Sequence, residues 1–284
     1  MALDKKNLIL RTASGIVYVG LIIGAVLLGS YGIAILSSLF AIIASFELES
    51  KTTATANKNT WFINWLVDAG VLICMIWTFP LAFCKTYDGG FPYSYYTIIL
   101  GSGLFIFRFL LQIFILQKEP LKSISFSIFT YAYLGLPLLI FTLWGSELSA
   151  WTIICIIAMI WINDTGAYLV GCTIGKHKMS PNISPKKSWE GFFGGVIMNI
   201  GAAFIYFYCF KLDLMPNVIG WIIIGITVSV AATLGDLFES VIKRSLNLKD
   251  FGNLIPGHGG ILDRIDSLLF VIPAVSIAIM FIMG

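Results

Sequence analysis

Long runs of apolar residues dominate the chain, and short polar stretches separate them. Each run is close to the ~20 residues that a helix needs to cross the hydrocarbon core of a bilayer. The pattern therefore predicts an all-α polytopic membrane protein with about nine transmembrane helices. The runs lie at about 12–29, 31–47, 61–84, 94–116, 123–145, 148–170, 190–210, 217–235 and 261–283.

The first two runs are continuous in hydropathy, and we divide them at Gly29, Ser30 and Gly32. A single span of about 35 residues would be too long for the bilayer, and glycine and serine commonly mark turns. With the N-terminus in the cytoplasm, the external loops carry only Lys85 and Lys211, while the other loop lysines and arginines lie on cytoplasmic segments. This asymmetry follows the positive-inside rule and predicts an external C-terminus.

Composition agrees with a membrane protein, because 58% of the residues are apolar and 12% are charged. Soluble domains have about 45–50% and about 25%, respectively. The five cysteines lie in or at the ends of apolar runs, with no spacing typical of a zinc site or a disulfide framework, and we interpret them as small core residues. They are Cys74, Cys84, Cys155, Cys172 and Cys209.

The polar connection at 171–189 combines glycines and prolines with four lysines, Lys176, Lys178, Lys186 and Lys187. Ser188 is placed to cap the helix that follows. A basic turn that opens a helix favours an anion. Alternatively, the lysines only enforce topology and contact lipid headgroups. Asp164, at the end of the preceding apolar run, favours a prepared polar site.

The connection at 236–260 carries more chemistry. If the eighth span continues as a helix, one face carries Asp236, Glu239, Ser240 and Lys243. An irregular turn follows, which contains Gly252, Pro256, Gly257, Gly259 and Gly260. Asp263 and Asp266 then open the last helix on one face. We expect Asp236 and Asp263 to converge.

Carboxylates beside lysines and arginines are typical of a phosphate-handling site, since Mg²⁺ is held by one or two carboxylates together with substrate phosphates. The alternative is a set of interhelical ion pairs that serve packing alone. His258 either donates to a phosphate or shapes its loop. The chain has no P-loop, no GxGxxG after a predicted strand and no GxSxG sequence. P-loop, Rossmann and serine-hydrolase mechanisms therefore lack the motifs that they require.

These residues resemble the signature of the phosphatidate cytidylyltransferases, also called CDP-diacylglycerol synthases. The signature is Ser-x-aliphatic-Lys-Arg, four residues, Lys-Asp, a Pro-x-His-Gly-Gly turn and Asp-Arg-x-Asp. It occurs here as Ser240, Lys243, Arg244, Lys249, Asp250, Gly252, Pro256, His258, Gly259, Gly260, Asp263, Arg264 and Asp266. The segments DTGAY, GK and SPKKSWEG resemble a second family region, with Ser188 where threonine is common and Cys172 where arginine is common.

The resemblance implies transfer of cytidylate from CTP to phosphatidic acid, which gives CDP-diacylglycerol and pyrophosphate. Because the sequence has no internal repeat, low-complexity tract or linker, we expect one integral membrane domain (1–284). We expect it in the bacterial inner (plasma) membrane, with its site facing the cytoplasm. Residues 1–150 would supply scaffold helices, and 151–284 the catalytic half with the loops 171–189 and 236–260. Membrane lipids are expected partners, a homodimer is an oligomeric state to test, and no nucleic acid is expected.

For this reaction we assign roles to single residues from their chemistry and spacing. Asp236 and Asp263 would hold Mg²⁺, in a two-cation arrangement. Lys243 and Arg264 would clamp phosphates, and Asp266 would orient Arg264 or a metal-bound water. Residues expected to bind CTP or lipid phosphate are Lys176, Ser184, Lys186, Lys187, Ser188, Ser240, Arg244, Lys249 and His258.

Two other functions fit parts of the pattern. A CTP-dependent polyprenol or phytol kinase would use a lipid hydroxyl to attack the γ-phosphate, but the complete signature argues against it. An ion-coupled transporter would use Asp164, Asp236 and Asp263 along a pathway. It predicts charges near mid-membrane, and the sequence has no visible inverted repeat.

Two charges lie outside the signature, Asp68 in the third apolar run and Arg108 in the fourth. Both lie about 10–12 Å into the membrane at 1.5 Å per residue. Each alone would cost about 2.5–3.5 kcal/mol at mid-membrane. We therefore expect a buried ion pair, the alternatives being snorkelling or a pore-lining role for Arg108.

Overall fold

The structure is a computed structural model that describes residues 5–52, 58–82, 92–114, 119–210, 214–215, 217–252 and 259–283, with side chains except at 5–13, 52, 58 and 59. Over these residues the chain is almost entirely helical. The α-helices are α1 (Lys5–Leu27), α2 (Gly29–Thr52), α3 (Lys58–Ala82), α4 (Tyr93–Phe114), α5 (Pro120–Thr130), α6 (Leu136–Glu147), α7 (Ala150–Ile174), α8 (Trp189–Ile205), α9 (Val218–Ser245) and α10 (Leu262–Met283). Two π-helical turns, Tyr131–Gly135 and Tyr206–Phe210, join α5 to α6 and extend α8.

Within the described part of the chain, eight helical stretches are long and apolar enough to cross a membrane. They are Gly29–Lys51, Thr60–Ala82, Tyr93–Phe114, Pro120–Glu147, Ala150–Ile174, Trp189–Phe210, Val218–Ser245 and Leu262–Met283. Helix α1 adds a shorter apolar part, Ser14–Leu27. The predicted all-α polytopic membrane protein is confirmed, whereas the sidedness of the termini stays a prediction.

The predicted division of the first long apolar run is also confirmed. Helix α1 ends at Leu27 and α2 begins at Gly29. Gly29 has a φ of +70°, a conformation that favours glycine. At Gly32 a side chain would collide with the carbonyl oxygen of Ala25. These glycines allow the chain to turn and the two helices to pack closely beside the turn.

The chain forms two compact units. The first contains Met1–Glu147 together with Asp250–Arg264, and the second contains Leu148–Lys249 together with Ile265–Gly284. The pattern did not predict that 250–264 would group with the N-terminal helices.

A buried polar cluster joins α3, α4 and α5 inside the first unit. Arg108 Nε lies 3.1 Å from Asp68 Oδ1, and the two side chains are 3% and 1% exposed. Ser127 Oγ donates to Asp68 at 2.7 Å, and the Tyr131 hydroxyl also donates to it. Arg108 Nη2 donates to Ser123 Oγ at 2.8 Å. The predicted buried Asp68–Arg108 pair is confirmed.

In the second unit, small residues bring α7, α8 and α9 together. A side chain at Gly191 would lie 2.8 Å from the carbonyl oxygen of Ala167 on α7. Asn199 on α8 donates to Ser229 Oγ on α9 at 2.9 Å. Membrane helices commonly associate through such small residues and interhelical hydrogen bonds. This packing fixes the ends of the three helices, where the polar connections begin.

A two-stranded antiparallel hairpin departs from the all-helical pattern. Strands β1 (Lys178–Ser180) and β2 (Ser184–Ser188) pair directly before α8. The hairpin gives the lysine-rich connection a defined backbone. The sequence predicted only a polar turn at this position.

Candidate functional site

The hairpin is anchored to the first turn of α8. Ser188 is the N-cap of this helix, and its buried side chain accepts a hydrogen bond from the Gly191 N–H at 3.2 Å. The Glu190 carboxylate accepts from the backbone N–H groups of Lys176 and His177 at 3.1 and 3.2 Å. The predicted cap at Ser188 is confirmed, and the contacts fix both ends of the hairpin.

One face of α9 presents acidic and basic groups near the helix C-terminus. Asp236, Glu239 and Lys243 all belong to this helix. Glu239 is only 1% exposed, and its Oε2 accepts a hydrogen bond from Lys243 Nζ. Helix α9 continues past the apolar run to Ser245, as the spacing of these residues predicted. The polar residues therefore follow one another along the same helix.

Asp266 on α10 joins this stripe. Ligand oxygens of Asp236, Glu239 and Asp266 all lie within 4.8 Å of one another. The helices approach closely at Gly235, where a side chain would lie 2.7 Å from the Asp266 carbonyl oxygen. Ser267 Oγ donates to the Ala232 carbonyl at 3.3 Å. A glycine on α9 and a serine on α10 therefore bring the three carboxylates together.

Basic side chains flank the three carboxylates. Lys187 Nζ, from β2, lies 2.8 Å from Asp236 Oδ2. Asp164 on α7 and Lys243 also act electrostatically on Asp266. The three clustered carboxylates thus outnumber the two lysines beside them, and Asp164 adds a further acidic group that acts on Asp266. The structure therefore brings together residues from both polar connections.

The three-carboxylate cluster has the donor set of a divalent cation site. Mg²⁺ prefers carboxylate oxygens and water. Glu239 and Asp266 are 1% and 8% exposed, and buried carboxylates are costly unless they are paired or bind a metal. Asp236 was a predicted ligand. Glu239 was placed on the same face without a ligand role, and Asp266 was assigned an orienting role instead.

Asp263 has different contacts. It belongs to the first compact unit, and its Oδ2 accepts hydrogen bonds from the backbone N–H groups of Gly260 at 2.8 Å and Phe251 at 3.2 Å. These bonds tie the start of α10 to the segment before it. Its role as a metal ligand stays a prediction.

The other predicted site residues occupy several environments. Arg244 Nε donates to the Ile183 carbonyl at 3.4 Å, and this bond ties the hairpin turn to the end of α9. Ser184 and Ser240 are half-buried, whereas His258 lies outside the described residues. The exposed residues are Lys176, Lys186, Arg244, Lys249 and Arg264.

Comparison with known proteins adds a family to this geometry. A sequence profile described as the cytidylyltransferase family matches residues 9–282. A phosphatidate cytidylyltransferase of Staphylococcus aureus (strain COL) is 41% identical over 157 residues, which cover 54% of this chain and 58% of the relative. One from Staphylococcus epidermidis (strain ATCC 12228) is 37% identical over 183 residues, 63% of this chain and 69% of the relative.

A third phosphatidate cytidylyltransferase, from Staphylococcus haemolyticus (strain JCSC1435), is 39% identical over 157 residues. This match covers 54% of the chain and 58% of the relative. The chain thus spans less than two thirds of the length of the S. aureus and S. haemolyticus relatives in these matches.

Proposed function

The chain belongs to the cytidylyltransferase family, and we propose that it transfers cytidylate from CTP to phosphatidic acid, producing CDP-diacylglycerol and pyrophosphate. The observation that supports this most is the cluster of Asp236, Glu239 and Asp266 beside Lys187 and Lys243. The cluster lies inside the region that the family profile matches. Relatives named phosphatidate cytidylyltransferase support the choice of lipid substrate.

The proposed reaction forms one phosphorus–oxygen bond and breaks another. A phosphate oxygen of phosphatidic acid attacks the α-phosphorus of CTP, the bond to the β-phosphate oxygen breaks, and pyrophosphate leaves with its electron pair. The attacking phosphate is largely ionised at neutral pH, since the second pKa of a phosphate monoester is about 6. A strong general base is therefore unnecessary. The main task is to hold two anions together in the correct orientation.

We propose that Asp236, Glu239 and Asp266 hold Mg²⁺, and the prediction of two cations with Asp263 as a further ligand is retained. When bound, Mg²⁺ would neutralise phosphate charge and orient the reacting groups. The carboxylates are held for this task by the packing of α9 against α10 at Gly235.

The lysines bind the phosphate charge in this proposal. Lys187 and Lys243 each lie beside a carboxylate of the cluster, where they limit its excess charge. Lysine is a flexible point charge with three donors, so both side chains can turn towards phosphate oxygens. Lys186 and Arg244, exposed beside them, would meet nucleotide or lipid phosphate. Ser188 keeps the hairpin that carries Lys187 in register with α8.

The location of the site fits two substrates of different solubility. The protein is an integral membrane protein, and the cluster lies near the C-terminal end of α9 and the N-terminal end of α10. We propose that it lies in the bacterial inner membrane and that CTP enters from the cytoplasm. Phosphatidic acid would enter from the surrounding lipid. The predicted homodimer can be checked from the mass of the protein in detergent.

The proposal can be tested with purified protein in detergent, Mg²⁺ and CTP labelled in the cytidine ring. Phosphatidic acid should yield organic-soluble cytidine label. In parallel reactions with CTP labelled at the γ-phosphate, phytol or a polyprenol should yield no labelled lipid, because a kinase would transfer that phosphate. The variant Asp236→Asn serves as the inactive control. Absence of lipid-linked cytidine from the wild-type reaction would reject the proposed activity.

A further inference from the structure

A carboxylate from α2 holds the start of α10. Glu47 accepts hydrogen bonds from the backbone N–H groups of Ile261 at 3.1 Å and Leu262 at 3.0 Å. Its side chain is buried, with 7% exposure. The first N–H groups of a helix lack intrahelical partners and attract negative charge. Glu47 lies 214 residues before Ile261 in the chain. It nevertheless caps the start of α10, a role that a neighbouring residue in the sequence usually has.

Two signature glycines provide the space for this carboxylate. A side chain at Gly252 would lie 2.5 Å from Glu47 Oε1, and one at Gly260 would lie 2.5 Å from Glu47 Oε2. The Glu47 carboxylate has little freedom to move aside, because it accepts two backbone hydrogen bonds. The absence of side chains at Gly252 and Gly260 is thereby explained by a contact inside the protein, without any ligand.

Asp263 completes the arrangement around the same segment. It accepts from Gly260 and Phe251, while Phe251 itself is buried. Gly259 has a φ of +87°, which favours glycine. Asp263 thus holds the backbone at Phe251 and Gly260. Glu47 holds it at Ile261 and Leu262, where α10 begins.

We propose that Glu47 is a positioning residue for the reaction, an inference that rests on the proposed function. Glu47 holds the first turn of α10 at Leu262 and the residue before it, Ile261. It thereby fixes the backbone that carries Asp263 and Arg264, without touching the substrate. The N-terminal helices would thus contribute to turnover, although the residues that resemble the family signature lie in the C-terminal half.

The direct test is Glu47→Gln, which keeps the size of the side chain but removes its charge and one acceptor oxygen. Hydrogen bonds to charged groups are about twice as strong as neutral ones. We expect kcat to fall on the order of tenfold or more. Amide hydrogen exchange should become faster on the order of tenfold at Ile261 and Leu262. The exchange readout does not depend on which reaction the protein catalyses.

The matched control is Glu49→Gln on the same helix. Glu49 is also buried, with 2% exposure, but it hydrogen-bonds to Asp68. This variant should leave kcat and the exchange of Ile261 and Leu262 as in the wild type, even if it lowers thermal stability. Equal losses of kcat in both variants would show a general effect of altering a buried carboxyl group on α2 and would overturn the inference.

Gly260→Ala tests the same contact from the other side and keeps Glu47 intact, so it serves if Glu47→Gln does not fold. It should also lower kcat and speed exchange at Ile261. In the double variant, Glu47→Gln with Gly260→Ala, kcat should fall by less than the product of the two single fold-decreases, because both substitutions disturb the same contact. Wild-type kcat and exchange in either single variant would contradict the inference. If the wild type makes no CDP-diacylglycerol, the proposed function fails, while exchange still tests the role of Glu47 in the fold.

Discussion

The buried pair of Asp68 and Arg108 allows a quantitative prediction about stability. Its N–O distance is 3.1 Å. At an effective dielectric constant of about 20, two charges about 4 Å apart attract each other by ~4 kcal/mol. Removing one partner of a buried pair typically costs about 3–5 kcal/mol. We therefore expect Asp68→Ala to lower the free energy of unfolding by about 3–5 kcal/mol.

Arg108→Ala should lower stability at least as much. Arg108 acts electrostatically on both Asp68 and Glu49, so its removal leaves two buried carboxyl groups without this cation. The double variant Asp68→Asn with Arg108→Gln removes both charges and strands neither. Its loss should be smaller than that of either single variant, because leaving one buried charge without its partner costs more than removing both charges.

The assay is thermal unfolding in detergent at one fixed scan rate, followed by tryptophan fluorescence. Each single variant should shift Tm downward on the order of 10 °C. The control is Lys122→Ala, which breaks an ion pair with Glu119 of similar length, 3.0 Å, in which the side chains are 74% and 61% exposed. Exposed pairs contribute little, so its Tm should barely change. A double variant that loses as much stability as the single variants, or single variants as stable as the wild type, would refute the reasoning.

Three further predictions concern the site. At saturating Mg²⁺, turnover should be abolished in each of the variants Asp236→Asn, Glu239→Gln and Asp263→Asn, while far-ultraviolet circular dichroism stays unchanged. The combined losses of activity should be strongly non-additive. Near-normal activity in a variant would remove that residue from the proposed cation site. Lys243→Ala should lower kcat far more than Tm, because its charge serves the phosphates; equal effects on both would indicate a packing role. Ser188→Ala should lower stability by about 0.5–2 kcal/mol through loss of the helix cap, whereas Ser188→Thr, which keeps the hydroxyl, should retain it, as thermal unfolding would show.

Hydropathy was enough to predict the membrane helices, because the length of an apolar run can be compared directly with the thickness of the bilayer. The Asp68–Arg108 pair was predictable for a related reason, since charges at equal depth on consecutive spans have few other partners. The hairpin at 178–188 was not predictable. Its strands are three and five residues long and polar, so they lack the apolar alternation by which a strand is recognised.

The site was predicted in part. The spacing of Asp236, Glu239 and Lys243 placed them on one helical face, which the structure contains. The role of Glu239 as a candidate ligand depends on Asp266 arriving from α10, and spacing within α9 carries no information about that. Glu47 was missed because it lies at the end of an apolar run and its partners are more than 200 residues away. No local pattern marks such a contact.

The most direct test of the proposed activity follows the individual phosphorus atoms of CTP. Purified protein in detergent is given phosphatidic acid, Mg²⁺ and CTP labelled with radioactive phosphorus at either the α or the γ position. Attack at the α-phosphorus predicts that α-label appears in the lipid fraction and γ-label in pyrophosphate. Label from the γ position in the lipid would instead identify a kinase and contradict cytidylate transfer.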